Sequence, residues 1–454
     1  CIQTLAHLNQ IFRWSKYREI CDMNDILLPG DERTYALIEN MFISLREVWE
    51  GGYIHVGMDE AHNLGRGRYF DLHGGVDRFH ILSEHLNRVI KIAEKYGFKP
   101  IIWSDMFFRL ANNGNYYPEN PVFGEDAKKA LPQNLSLCYW DYYHEDESYF
   151  SKMLSAHEKS GAEIWFAGGA WTWTGFGSGN SKSFKTMFPA MRALKKTGVK
   201  NVFITMWGDN GKECSFYSVL PSLYAIRKIY DGEENIEEIK KTFKDITGED
   251  FDALCYLDNV NFVVGNTDSN VNVSKFSLYN DPFNGFLDST LKDGVGKEYS
   301  SLAEKYSALK KSSNSFGYIF NSAEKLCRLL SFKYDLGILT RKAYSSKDKK
   351  QVLSVIKKYR LAIKYLDEFY KVFSSLWYKE NKPQGFDVQD IRLGGLRKRL
   401  ESCAMRLNDF AKGKIDCIPE LEEPILDYYG NGEDFKKDPP AFNYWADNVT
   451  CNSL

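Results

Sequence analysis

From Ile2 to about Tyr230 the chain alternates short apolar runs with longer amphipathic stretches, the pattern of parallel strands joined by crossover helices. The strand candidates are Ile2–Leu5, Tyr53–Val56, Pro100–Ser104, Leu135–Trp140, Glu163–Ala167 and Val202–Met206. After the second of these, Leu82, Leu86, Val89, Ile90 and Ala93 recur on one helical face. Gly97 then supplies a C-cap and Pro100 opens the next strand. Six units of this kind exceed a small fold and fall two short of an eight-stranded barrel.

Beyond Tyr230 the pattern turns helical. Glu233–Lys244 is charged and helical, Asn266–Gly296 is rich in Asn, Asp, Ser and Gly and reads as loop, and long helices follow from Tyr299. Val352, Ile356, Tyr359, Ile363, Leu366, Tyr370, Phe373 and Trp377 alternate spacings of four and three, as in a coiled-coil seam. A second seam runs through Leu393, Leu396, Leu400, Cys403, Leu407 and Phe410. The short loop Asn381–Gly385 between them predicts an antiparallel helical hairpin. These seams either pack within the chain or serve in part as a homodimer interface. The predicted organisation is a βα part over residues 1–232 and a helical part over 233–454.

Composition changes this picture little. The chain has 454 residues, 43% of them hydrophobic and 26% charged, as expected of a globular protein with two or three domains. A net charge of -2 gives no footing for nucleic acid or an anionic membrane, and no apolar run reaches membrane-spanning length. Nine scattered cysteines without a C-x-x-C pair suggest reduced thiols and a cytoplasmic setting. The opening CIQTLAHL reads as a strand without an initiator Met, so the N-terminus is expected to be cut.

Candidate chemistry centres on Tyr53–His62, YIHVGMDEAH. A strand runs into Gly57 and delivers Asp59 and Glu60 side by side, followed by a loop rich in glycine. Loops after strands are where βα proteins collect catalytic groups. Adjacent carboxylates cannot flank a glycosidic bond from opposite sides, as the pair in an ordinary glycosidase does. One can protonate a leaving oxygen while its neighbour holds a substrate group that acts as nucleophile. The neighbouring charge and partial burial are expected to raise the acid's pKa. Taken alone, such a dipeptide is more often a salt-bridging or helix-capping pair.

Tryptophan shifts the balance. Eight of the ten lie in the βα part, and Trp103, Trp140, Trp171 and Trp207 fall at or just beyond strand ends. One such Trp is ordinarily core. Several at the same end of successive strands describe an aromatic cup suited to a pyranose. Polar residues accompany them: Ser104 and Asp105, Asp141 with Tyr142 and Tyr143, Thr172, and Gly208 with Asp209.

HVGMDEAHNLGRGRY, followed by IIWSDMFFRL, CYWDYY, GGAWTWTGF and TMWGDNGKECS, resembles the family 20 glycoside hydrolases, the β-N-acetylhexosaminidases. SKFSLYNDPFNGFLD and WYKENKPQGFDVQDIRLGGL are similar to the bacterial branch with a helical C-terminal domain. The resemblance implies an α/β fold of the TIM (β/α)8 type, here lacking its first strands, followed by an α-helical domain. It implies a retaining, substrate-assisted reaction on terminal β-linked GlcNAc or GalNAc, with no metal or cofactor. By the same resemblance, Glu60 is the general acid and base, and Asp59 orients the 2-acetamido group. Tyr142, or else Tyr143, meets the acetamide oxygen. Trp103, Trp140 and Trp207 line the pocket, Trp171 is a wall candidate, Asp209 binds the 4- and 6-hydroxyls, and His7 stands near the acid. His7 could equally be structural. Trp377 and Arg392 default to packing, or else reach a neighbouring subunit's pocket. His55, Asp59 and His62 lack a second cluster to make a metal site. Arg68 anchors the loop.

The family's first two strands and the arginine on the first are not found in this sequence. Two other readings therefore stand beside the first: a retaining glycosidase with Asp105 or Asp209 as covalent nucleophile, and a carbohydrate-binding fragment without turnover.

Overall fold

The computed structural model describes residues 1–262, 272–430 and 440–444. Two compact units divide the chain, Cys1–Gly169 with Thr186–Thr205, and Ala170–Lys185 with Met206–Leu454.

The first unit is built on a parallel sheet of five strands in sequential order: β3 (Tyr53–His55), β4 (Lys99–Trp103), β5 (Ser136–Trp140), β6 (Glu163–Gly169) and β7 (Asn201–Thr205). A small antiparallel pair, β1 (Cys21–Met23) and β2 (Ile26–Leu27), precedes it. Five of the six expected strands are present. The segment Ile2–Leu5 is not a strand. Ile2 makes one ladder-like bond to the His55 carbonyl (2.9 Å), and Thr4 Oγ1 donates to the Val56 carbonyl (2.7 Å). The chain then turns at His7, whose φ of 61° ends any extended run.

The sheet is curled. Flat, its edge strands would lie four spacings, about 19 Å, apart. Yet the ring of His55 on β3 is 6.5 Å from that of Phe203 on β7, and Trp103 and Trp165 pack against Phe203 as well. The concave side is thus filled with aromatic rings. At the foot of the sheet the first residues of the other four strands all meet Glu163. Lys99 Nζ (2.7 Å), Ser136 Oγ (2.8 Å), Tyr53 Oη (3.1 Å) and Asn201 Nδ2 (3.1 Å) donate to its carboxylate. The expected crossover helix forms over Arg78–Lys95. It is capped by Asp77 on the His80 N–H, with Leu82, Leu86, Val89, Ile90 and Ala93 buried.

The second unit is mainly helical. Within Asn266–Gly296, read above as loop, residues 266–271 lie outside the described residues, but Val273–Tyr279 is a helix. Asn272 caps it, and its apolar side chains are buried, which outweighs the polar composition around it. The helices Lys349–Glu380 and Phe386–Ala411 fold back as an antiparallel hairpin. Arg397 pairs with Asp367, and Tyr370 Oη donates to Asp390. The first seam is broader on one flank than expected. Val352, Ile356, Tyr359, Leu366, Phe373 and Trp377 are buried as expected and Tyr370 is exposed, while Val355, Ala362, Phe369 and Leu376 are buried as well. A heptad pattern does not say how wide the buried stripe is when apolar residues flank it. Trp377 is buried in this packing, its Nε1 donating to the Lys382 carbonyl (3.0 Å).

All described cysteines are free. No described helix is long and apolar enough to cross a membrane.

Candidate active site

The sequence Gly57-Met58-Asp59-Glu60 leaves β3 in an unusual backbone path. Gly57 (φ 73°), Met58 (φ 70°) and Glu60 (φ 51°) all occupy the left-handed region. Two non-glycine residues there within three positions represent stored strain, of the kind that collects at functional sites. The surroundings enforce it. The Gly57 N–H donates to His55 Nδ1 (3.1 Å), the Met58 N–H to Gln3 Oε1 (3.3 Å), and the Glu60 N–H to Asp105 Oδ2 (3.0 Å).

This path sends Asp59 and Glu60 toward one histidine. His7 Nε2 lies 3.2 Å from Asp59 Oδ2 and 3.8 Å from Glu60 Oε2. Gln3 Nε2 donates to the other Asp59 oxygen (3.1 Å). Burial alone would push Asp59 up, but the hydrogen bond and charge of His7, helped by Gln3, hold it below the usual carboxylate range. The same hydrogen bond raises His7 to about 9, against the cost of its burial. Asp59 is therefore an anchored carboxylate beside an imidazolium. Glu60 keeps 39% of its side chain exposed and can reach a substrate.

Asp105, on the turn after β4, is wholly buried. Arg109, one helical turn on, donates Nε to Asp105 Oδ2 (3.3 Å) and brings Nη2 to 3.9 Å from Glu60 Oε1. Burial, and next the charge of Asp59, raise Asp105 to about 7. Its Oδ1 has no hydrogen-bond partner among the described residues. Arg109 and Gln3 escaped the sequence reading. The four-residue spacing of Asp105 and Arg109 was a usable signal, whereas nothing in the sequence marked Gln3.

Trp103 is buried with its ring 4.2 Å from that of His55. Burial lowers His55 to about 3, so it is a neutral packing residue. Trp140 stacks on Tyr142 (5.4 Å, 29°), and Trp140 Nε1 is buried without a hydrogen-bond partner among the described residues. Tyr142 is buried and Tyr143 is 43% exposed. Asp141 is spent on the turn itself, accepting from Tyr139 Oη, the Tyr143 and His144 N–H groups and His144 Nδ1. The glycine loop is anchored by Asp22, which accepts from the Gly65 and Tyr69 N–H groups, while Arg68 donates to the Glu19 carbonyl.

The remaining candidates belong to the second unit. Trp171 is wholly buried and stacked on Trp173 (4.4 Å, 26°). Trp207 is 37% exposed, its carbonyl accepting from Thr172 Oγ1 (2.7 Å). Asp209 opens the turn Asp209–Gly211 that follows.

His7, Asp59 and Glu60 offer ligand atoms within 4.8 Å of one another, a grouping that could also take a divalent ion. A proton competes for that position, because a ligating His7 must be neutral and its carboxylate neighbours favour the charged form.

Residues 249–438 match the family model for the glycoside hydrolase 20C C-terminal domain. The match bears out the family 20 resemblance read from the motifs, and the family is one of glycoside hydrolases. The 20C domain covers both seams and the hairpin between them. Among solved structures, the chain is similar to a GH20 exo-β-N-acetylglucosaminidase from Vibrio harveyi. The two are 11% identical over 57% of this chain and 42% of that one, with a TM-score of 0.39. It is also similar to the GH20 β-N-acetylhexosaminidase of Streptomyces coelicolor A3(2), 16% identical over 38% of this chain and 30% of that one, with a TM-score of 0.26. An O-GlcNAc hydrolase of Thermobaculum terrenum is 11% identical over 85% and 78% of the respective chains, with a TM-score of 0.38. The chain thus spans less than half of the first two of these structures. No curated protein matches it in sequence.

Proposed function

We propose that the chain carries the catalytic centre of an exo-β-N-acetylhexosaminidase acting on terminal β-linked GlcNAc or GalNAc, and that its curled sheet is part of a (β/α)8-type barrel. The observation that supports this most directly is the division of labour at Asp59 and Glu60. Asp59 is ionised, 17% exposed and fixed by His7 and Gln3, while Glu60 is 39% exposed on a strained backbone.

A fixed carboxylate with only a small part exposed suits the orientation of an amide N–H on the substrate. That contact directs the acetamide oxygen at the anomeric carbon. Glu60 then gives its proton to the glycosidic oxygen as the carbon–oxygen bond breaks, leaving an oxazolinium ion. Water attacks the anomeric carbon next, Glu60 takes its proton, and the configuration is retained. In this reading Trp103, Trp140 and Tyr142 serve the acetamide pocket, and Trp171, Trp207 and Asp209 serve the sugar face and hydroxyls.

The test is hydrolysis of nitrophenyl β-glycosides of GlcNAc and GalNAc, with a thiazoline mimic of the oxazolinium as inhibitor. Activity insensitive to the thiazoline would refute the mechanism. Asp105 is the competing nucleophile, and trapping a fluorosugar on it would favour the conventional retaining reading. Its complete burial and its bond to the Glu60 backbone favour a supporting role. A homodimer through the helical part, the other use of its apolar surface, is decided by light scattering.

A further inference from the structure

The turn that carries Trp207 and Asp209 cannot hold its shape alone. Asn210 (φ 60°), Gly211 (φ 130°) and Lys212 (φ 55°) are three consecutive residues at positive φ, a path that L-residues rarely adopt. Its carbonyls are gripped by side chains that lie far along the sequence but in the same unit. The Asn210 carbonyl accepts from both Arg392 Nη1 (2.8 Å) and Lys275 Nζ (3.0 Å), and the Gly211 carbonyl from Gln389 Nε2 (2.8 Å). Glu213, two residues on, neutralises the two cations, at 2.8 Å from Lys275 Nζ and 3.3 Å from Arg392 Nη1. Lys275 and Glu213 are each 2% exposed, and Gln389 is fully buried.

A buried lysine and glutamate with a partly buried arginine are costly to desolvate, and a hydrophobic trio in place of the three donors would pack as well. What a hydrophobic trio could not do is donate three hydrogen bonds to a turn whose own N–H groups do not satisfy those carbonyls. Lys275, Gln389 and Arg392 all fall within the segment matched as the 20C domain. The neighbouring loop, Trp171–Asn180, is held in the same manner. Asp258 accepts from Ser178 Oγ and the Asn180 and Ser181 N–H groups, and Asn261 bridges the Gly177 N–H and carbonyl.

We propose that Lys275, Gln389 and Arg392, balanced by Glu213, are positioning residues that fix the Trp207–Asp209 turn, so that the C-terminal domain sets recognition of the sugar's 4- and 6-hydroxyls. The proposal rests on the functional reading above, in which Asp209 meets those hydroxyls. Removing a donor loosens the turn and blurs the distinction between a sugar that carries the hydroxyls and one that lacks them, while proton transfer at Glu60 is untouched.

The experiment compares wild type with Gln389→Met, Arg392→Met and Arg392→Lys on nitrophenyl β-GlcNAc and its 4-deoxy and 6-deoxy analogues. The two Met variants are expected to lose about tenfold in kcat/KM on the parent sugar and less than about twofold on the deoxy sugars. Arg392→Lys should recover part of the loss. Equal losses on all three sugars mean a merely structural role and overturn the proposal. Amide hydrogen exchange across 207–213 is a second readout that needs no turnover. Exchange should accelerate in the Met variants, and unchanged exchange overturns the proposal even in an active enzyme. Wild-type inactivity on every sugar, with accelerated exchange in the variants, would instead refute the hexosaminidase reading and leave the holding role standing.

Discussion

His7 Nε2 and Asp59 Oδ2 lie 3.2 Å apart, with Glu60 Oε2 3.8 Å from the same nitrogen, so one imidazole serves both acids. The pair is linked to pH at both ends. His7 is raised in the folded state, so its contribution is fully present below its ordinary value near 6.5 and is lost as pH rises through about 9. Asp59 is depressed, so its contribution is present above its ordinary value near 3.8 and is lost on acidification below it. Thermal unfolding from pH 4 to 10 should show stability falling between about 6.5 and 9. In His7→Asn that alkaline fall should flatten. An unchanged fall would place its cause elsewhere.

Glu60→Gln should abolish hydrolysis of substrates with poor leaving groups while sparing activated aryl glycosides, since a good leaving group needs little protonation. A loss of about 10²–10⁴-fold on the former is expected from removal of a general acid. Equal losses on both classes would count against the assignment.

Asp59→Asn should slow both substrate classes, because it acts on the nucleophile rather than on the leaving group. A wild-type assay on glucosides, which carry a hydroxyl in place of the acetamide, should give no turnover. Comparable rates on glucosides would sink the substrate-assisted route.

Asp105 behaves oppositely to Asp59. Its folded-state value near 7 exceeds the ordinary 3.8, so the folded state binds the extra proton and stability falls as pH rises from about 4 to 7. Asp105→Asn keeps an acceptor for the Glu60 N–H and removes the ionisation. Its melting temperature should match wild type near pH 4 and exceed it at pH 8, as differential scanning calorimetry can determine.

Gly57→Ala forces a side chain onto a residue at φ 73° and drives its Cβ into the Gln3 side chain, which holds Asp59. A destabilisation of about 1–3 kcal/mol is expected by urea denaturation, with a loss of kcat. If the variant keeps both wild-type stability and wild-type kcat, the strained turn has no functional weight.

Much of this was legible in the linear pattern. Five strands, the helix that ends before Gly97 and the helical hairpin follow from apolar spacing and capping residues, which act over a few positions. The segment Ile2–Leu5 carries the composition of a strand but is steered by partners some 50 residues away, at His55 and Val56, and no local rule registers them. The helix Val273–Tyr279 was hidden for the converse reason, since its burial outweighs a polar neighbourhood. At the site, Asp59 and Glu60 stood out by residue type. Gln3, Lys275 and Gln389 are ordinary polar residues whose contacts exist only in three dimensions, and Arg392, expected to pack or to reach a neighbouring subunit, donates to the Asn210 carbonyl of its own chain.

The carboxylate of Glu163 gathers a donor from the opening residue of every other strand in the sheet, at the end opposite the turns after β3, β4 and β5. A scaffold buttoned at its base leaves its rim free to diversify. Substitutions in the turns after β3, β4 and β5 leave this base intact, whereas one exchange of Glu163 removes a side-chain contact to each of the other four strands at once.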